Sequence, residues 1–329
     1  MINHDHPTLD TAALTRLKDE ISRDVESRRY DGAVILLSRN GEVGIDETIG
    51  FNERAAERPL EREDVFRIFS MTKAFTNVLV LQAIERGQLA LSTRVVDVIP
   101  EFWGSDRFRS AKKDRINVAH LLTHRAGLVT TPNPLPYDQL GNLANVITAI
   151  CEMDVVGEPG KTFNYSPTLN YALLGEMVRR VSGAASYREL AHREIFGPLG
   201  MESTAIGAPS AWAEHYVPVK GYLPDSGWLD NHDIEVMNDI ITEEAEMPWV
   251  GAVASAPDIH RFAMMLRNGG TLEGHRVLSP ALIDLASTNF TGDHVNDLYA
   301  GIAAAKGWET PPGNYGLGFA LSGTGTHPS

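Results

Sequence analysis

Ser70-Met71-Thr72-Lys73 lies where a short apolar approach, Val65-Phe66-Arg67-Ile68-Phe69, meets an apolar run holding Val78, Leu79, Leu81 and Ile84. The spacing predicts a helix from Ser70, closed by Gly87 as its C-terminal cap after Arg86. Residues three apart share a helix face, so the Lys73 amine reaches the Ser70 hydroxyl. A serine hydroxyl is a weak nucleophile at neutral pH and needs a base beside it. A lysine held out of water can be that base, because burial lowers its pKa. The pair therefore reads as a nucleophilic serine without a histidine partner. The same spacing recurs at Ser110-Ala111-Lys112-Lys113, among Arg107, Arg109, Asp114 and Arg115. Those charges predict a solvated, protonated lysine there, which is no base.

Around this motif the chain punctuates itself clearly. Leu14, Leu17, Ile21 and Val25 predict an amphipathic helix over residues 11–28. An apolar strand at 33–37, the turn Asn40-Gly41 and a return strand at 43–49 predict an antiparallel hairpin. From about residue 91 to 248 the sequence reads as helices and long loops, clearest as helices at 118–123 and 169–181, with a proline-rich loop at 131–136. Helix returns at 257–267, with Pro257 in its first turn. A second chemical candidate is Pro159-Gly160-Lys161-Thr162-Phe163-Asn164-Tyr165-Ser166-Pro167, ahead of an apolar helix holding Leu173 and Leu174. A tyrosine on such a loop can present its hydroxyl to a pocket. Beside a lysine cation its pKa would fall, and it could move protons. The plainer alternative is a tyrosine that packs and donates one hydrogen bond.

Composition narrows the function classes. The 329 residues suffice for a large core and two lobes, and a net charge of -14 opposes binding to nucleic acid or anionic membranes. No stretch approaches the roughly 18 apolar residues of a membrane span, and residues 1–6 hold no apolar core of signal-peptide length. The expectation is a cytoplasmic, reducing location. Cys151, the one cysteine, ends the run Val146-Ile147-Thr148-Ala149-Ile150 and reads as a buried, inert thiol. His4 and His6 read as a polar terminus. His120 and His124, four apart on a predicted helix, suit a metal pair, but no Glu follows His120 and no third ligand is evident. There is no Gly-x-Ser-x-Gly elbow, phosphate-binding glycine loop or zinc-type cysteine cluster, so no metal and no cofactor is expected.

Phe66-Arg67-Ile68-Phe69-Ser70-Met71-Thr72-Lys73 resembles the nucleophile motif of the serine β-lactamase and penicillin-binding-protein superfamily, in its class C branch and closest to the family VIII carboxylesterases. Supporting stretches follow in the family's order. They are His120-Leu121-Leu122-Thr123-His124-Arg125-Ala126-Gly127-Leu128, Pro159-Gly160 with Tyr165-Ser166, Leu199-Gly200-Met201-Glu202-Ser203-Thr204, the segment 251–270, and Tyr315-Gly316-Leu317-Gly318-Phe319.

The resemblance implies an α+β fold in two lobes. Residues 1–89 and 246–329 would form a lobe of antiparallel sheet flanked by helices, and residues 90–245 a mainly helical lobe. It implies Ser70 as acylated nucleophile, Lys73 and Tyr165 as general base and acid, and the Ser70 N–H as half of an oxyanion hole. His120 and His124 become scaffold. Of Trp103, Trp228 and Trp249, which could line an acyl pocket, Trp249 is favoured because it precedes Gly251 near the family's active-site rim. Trp249 and Gly251 are therefore the substrate-binding candidates.

Two departures shape the expected activity. Pro167 stands where β-lactamases of this branch carry an asparagine that contacts the lactam amide, which favours an esterase acting on small esters. Acyl transfer to an alcohol or amine by the same acyl-enzyme is the neighbouring alternative, followed by β-lactamase or D-amino-acid peptidase action and by a catalytically silent binding protein. The family's third motif follows Tyr-Gly-Leu-Gly-Phe on a strand, whereas Gly323-Thr324-Gly325 falls in a Gly/Ser/Thr stretch too close to Phe319. The expectation is that the C-terminal strands are missing from this chain, with a separate polypeptide as one way of supplying them.

Overall fold

Leu14 and Val25 of the first predicted helix are buried, and Asp10 caps that helix by accepting from the Ala12 N–H. The computed structural model describes residues 1–3, 8–105, 111–130, 133–222 and 230–321. His4, His6, Ser110, residues 131–132, Trp228 and Gly323-Thr324-Gly325 lie outside the described residues.

The chain opens with α1 (Thr11–Glu26), then the strands β1 (Gly32–Arg39), β2 (Glu42–Glu53), β3 (Arg58–Pro59) and β4 (Phe66–Arg67). The central helix α2 (Thr72–Glu85) follows, then α3 (Val95–Val98), α4 (Val118–Leu122), α5 (Leu143–Glu152), α6 (Leu169–Ser182) and α7 (Tyr187–Ala191). Next come β5 (Thr204–Ile206), α8 (Asn231–Glu235), α9 (Met237–Ile240), β6 (Ala252–Ala254) and α10 (Ala256–Arg267). The short pair β7 (Thr271–Leu272) and β8 (His275–Arg276), then α11 (Pro280–Ala286) and α12 (Asp297–Lys306), complete the strands and α-helices among the described residues, with short 3-10 or π turns between some of them.

Asn40 and Gly41 both take positive φ, 54° and 86°, and turn β1 back onto β2 in antiparallel register from Gly32↔Gly50 to Arg39↔Glu42. α1 packs on β2, and α10 packs on β1. β6 lies between β4 and β5, pairing Phe66 and Thr204 with Ala254. β1 and β4 are each the edge of their sheet. An apolar groove of about 610 Å³ lies between them, lined by Ala33, Leu36, Phe66 and Ile68 with Ile259 and Ala263 of α10.

α2 organises the interior. Phe75, Val78, Leu79, Val80 and Leu81 are at most 2% exposed and point to all sides, so the helix is buried around its circumference and sits at the centre. The Phe75 ring meets Phe196 and Phe262 edge-on at 5.0 and 4.8 Å between centroids. The buried polar side chains of α2 each find at least one partner, although Gln82 Oε1 is left without one. Thr72 Oγ1 accepts from the Ala252 N–H at 3.0 Å, and Thr76 Oγ1 donates to the Pro248 carbonyl at 2.8 Å. Asn77 Nδ2 donates to the Gly318 carbonyl at 2.7 Å, while its Oδ1 accepts from the Tyr171 hydroxyl at 2.8 Å. Gln82 Nε2 donates to the Val277 carbonyl at 3.0 Å.

Several expectations are corrected. Ser70 sits in a single 3-10 turn, Phe69–Met71, ahead of α2. Lys113 is 3% exposed, not solvated, and donates to the Cys151 carbonyl at 2.6 Å over the Phe102 ring. α4 ends at Leu122 and His124 has φ 54°, so His120 and His124 do not share a helix face. Cys151 is buried as expected, and burial pushes its thiol up to about 11. No helix among the described residues is long and apolar enough to cross a membrane.

Replacing Asn77 with Ala should leave the Gly318 carbonyl and the Tyr171 hydroxyl unpaired and lower the unfolding free energy by about 2–4 kcal/mol, read by urea denaturation. Gly318→Ala should also destabilise, because its Cβ would lie 2.1 Å from Asn77 Oδ1 at φ +85°. Near-neutral results for both would refute the claim that this contact holds the 315–319 segment to α2.

Candidate active site

Phe69 turns the chain from β4 into α2 with φ 48°, a left-handed conformation that few side chains adopt. Such strain, on the order of 1–3 kcal/mol, persists only where the surroundings hold it. Here β4 is fixed by β6 on one side, α2 is buried on the other, and the turn between them lifts Ser70 to the surface. Lys73, one turn into the interior, is 4% exposed.

The structure brings Ser70, Lys73 and Tyr165 together. Lys73 Nζ and Ser70 Oγ are 3.1 Å apart, and the Tyr165 hydroxyl donates to the same Oγ at 3.0 Å. Lys73 Nζ also donates to the Trp249 carbonyl at 2.8 Å. That carbonyl holds one amine proton, and a neutral Nζ keeps a second proton and a lone pair, within reach of Ser70 Oγ. Burial pushes the lysine down from 10.5 to about 7. The faces of Tyr165 and Tyr171 lie 5.4 and 5.3 Å from Nζ and stabilise the ammonium once it forms.

Tyr165 behaves in the opposite sense to the sequence expectation. Burial raises its phenol to about 12, against a smaller lowering by the hydrogen bond to Ser70. No cation lowers it, although the neighbouring amine, brought down to about 7, is still protonated in about half of the molecules at pH 7. Tyr165 is therefore a proton donor at rest, held in that state by its surroundings.

His124 positions the tyrosine loop. Its Nδ1 accepts from the Ser166 N–H at 3.1 Å and from Asn170 Nδ2 at 3.2 Å, and its carbonyl accepts from the Asn164 N–H at 3.0 Å. Two donors on Nδ1 place the ring proton on Nε2. Burial, with the nearby Lys73 charge, pushes the imidazole down to about 3, so it stays neutral. Its ring stands 4.6 Å from Tyr165. The sequence marked His124 only as scaffold. Its positive φ and its contacts on both sides of Tyr165 make it a positioning residue that the spacing alone did not show.

Of the substrate-binding candidates, Trp249 is 3% exposed and its indole belongs to the core. It reaches the site through its backbone carbonyl. Gly251 enters β6, with its N–H on the Met247 carbonyl at 2.8 Å, and a Cβ there would come within 2.7 Å of Met247 Cβ. Trp103 is partly buried against the same core. A ring the sequence did not single out, Tyr299 of α12, is stacked on Tyr165 at 6.0 Å and 24°.

Comparisons with known proteins agree with this architecture. The family model described as Beta-lactamase matches residues 17–327. Protein Rv1367c of Mycobacterium tuberculosis is 29% identical over 276 residues, covering 78% of this chain and 67% of that protein. Esterase EstB of Burkholderia gladioli is 31% identical over 236 residues, covering 66% of this chain and 58% of EstB, so the chain spans little more than half of that relative. Among solved structures, EstCE1, described as a hydrolase with promiscuous acyltransferase activity, superposes with a TM-score of 0.72 at 22% identity, covering 93% of this chain and 82% of that one. A family VIII carboxylesterase gives 0.71 at 24% identity, covering 84% and 75%. A class C beta-lactamase in complex with cefoxitin gives 0.65 at 20%, covering 85% and 72%. The structural likenesses carry the α+β beta-lactamase fold, and the match over nearly the whole sequence carries membership: this chain belongs to the beta-lactamase family.

Proposed function

We propose that this protein is a serine carboxylesterase that cleaves small esters through an acyl-enzyme on Ser70. The observation that carries the reading is Ser70 Oγ held between the Lys73 amine and the Tyr165 phenol, with the lysine pushed down to about 7. The 31% identity to an esterase supports it, as does Pro167 in place of an amide-binding asparagine.

In the proposed reaction, Ser70 Oγ attacks the ester carbonyl carbon while its proton passes to Lys73 Nζ. The Ser70 N–H donates to the oxyanion that forms. On collapse the carbon–alkoxide bond breaks, the alkoxide takes the Tyr165 phenol proton, and the Lys73 ammonium restores that proton across the site. A water then attacks the acyl carbon, giving its proton to Lys73, and the carboxylic acid leaves as Ser70 recovers its hydrogen. An alcohol in place of that water would give acyl transfer by the same steps. The exposure of Ser70 leaves room for it, and product analysis with and without an acceptor alcohol separates the two outcomes.

Incubation of the full-length protein with a fluorophosphonate should label Ser70, and an adduct mapped elsewhere would end the assignment. Lys73→Ala and Tyr165→Phe should each lower kcat for a short-chain ester by about 10²–10⁴. Nitrocefin turnover rivalling ester turnover would favour a lactamase instead. Because neutral Lys73 is the base, kcat/KM should rise with pH through about 7 and then level off, since the Tyr165 phenol titrates only near 12.

The same lysine weakens the fold. Its folded-state pKa is depressed, so the unfolded chain binds more protons between about 7 and 10.5, and stability rises with pH across that window. Lys73→Met should therefore raise Tm while abolishing turnover. The gain should be largest below pH 7 and shrink as pH climbs toward 10.5. A gain independent of pH would contradict this account.

A further inference from the structure

α12 is tied to the loop that carries Tyr165. The Asp297 N–H donates to the Phe163 carbonyl at 2.9 Å, and Asn296 Oδ1 caps the helix by accepting from the Leu298 and Tyr299 N–H groups at 3.1 and 3.3 Å. Tyr299 and Ala303 lie one turn apart on the same face of this helix. Ala303 is 3% exposed, so that face points into the protein. Tyr299 remains 39% exposed all the same. The group this partly open ring meets on the protein side is the Tyr165 ring, stacked on it 6.0 Å away.

Resting on the reading above, we infer that Tyr299 is a specificity-determining residue that selects esters of aromatic alcohols. The proton donor to a leaving alkoxide must lie beside it, and the donor is Tyr165. The alcohol half of the ester therefore sits next to the Tyr165 hydroxyl, and the ring stacked on Tyr165 flanks it. A flat aromatic group lies against the open Tyr299 face in an offset or edge-on arrangement that an alkyl chain cannot reproduce. The acyl half points away, toward the Lys73 side of Ser70.

The test uses benzyl acetate and ethyl acetate, which share an acyl group and have alkoxides of similar basicity. The full-length protein should favour the benzyl ester in kcat/KM. Tyr299→Ala and Tyr299→Leu should each lower kcat/KM for benzyl acetate by about three- to tenfold, mainly through KM, with ethyl acetate changed less than about twofold. Tyr299→Phe should keep the preference, and the rise of kcat/KM near pH 7 should not move in any variant. Equal losses on both esters, or a displaced pH profile, would show that Tyr299 merely holds Tyr165 in place and would overturn the inference alone. Turnover without a benzyl preference in the unsubstituted protein would overturn it too. Failure of that protein to cleave either ester would overturn the proposed reaction and this inference together.

Discussion

The structure depends on a helix with no solvent face whose polar side chains all end on other groups of the protein. Thr72 and Thr76 hold the 248–252 segment, Asn77 holds Gly318, and Lys73 rests on the Trp249 carbonyl. Each of these contacts satisfies a group that would otherwise sit unpaired in an apolar interior. Together they fix the register of β6, and with it β4 and the strained turn at Phe69. The same row of side chains that secures the core therefore also holds Ser70 and Lys73 beside each other. The position of Ser70 is a result of packing, and local helix propensity plays little part in it.

The proton chemistry follows from one cause acting on two groups with opposite sign. Burial disfavours the charged form of both, so the amine moves down toward neutrality and the phenol moves up, away from ionisation. An acceptor and a donor result, both within 3.1 Å of one hydroxyl: near pH 7 the amine is neutral in about half of the molecules and the phenol keeps its proton. In the proposed reaction that arrangement supplies base and acid without a metal ligand or a second carboxylate. Neutral His124, locked with its proton on Nε2, adds shape without adding charge.

Much of this was legible in the residues. The hairpin at Asn40-Gly41, the helix behind Ser70 and the convergence of Ser70, Lys73 and Tyr165 follow from turn chemistry, apolar spacing and motif resemblance. The misreadings have a common origin, since burial is a property of the fold and not of near neighbours in sequence. Lys113 stands among charged residues along the chain but is enclosed by Phe102 and the Cys151 carbonyl in space. The sequence expectation lets a lysine cation lower the Tyr165 phenol, whereas burial of the ring dominates and raises it. Trp249 was singled out for its indole, yet its carbonyl is what meets the site, and a backbone atom carries no signature in the residue type. Tyr299 lies 134 positions beyond Tyr165, and only the folding of α12 onto the tyrosine loop joins them.

The bond from Lys73 to the Trp249 carbonyl has an evolutionary corollary. A peptide oxygen cannot be deleted by a point substitution, only displaced, so this anchor is insulated from most single changes of side chain. Because burial is what lowers the amine, changes in the neighbouring side chains that admit or exclude water would retune its acidity while this bond persisted. The Ser70, Lys73 and Tyr165 side chains could then stay as they are while the pH at which the amine takes its proton moved.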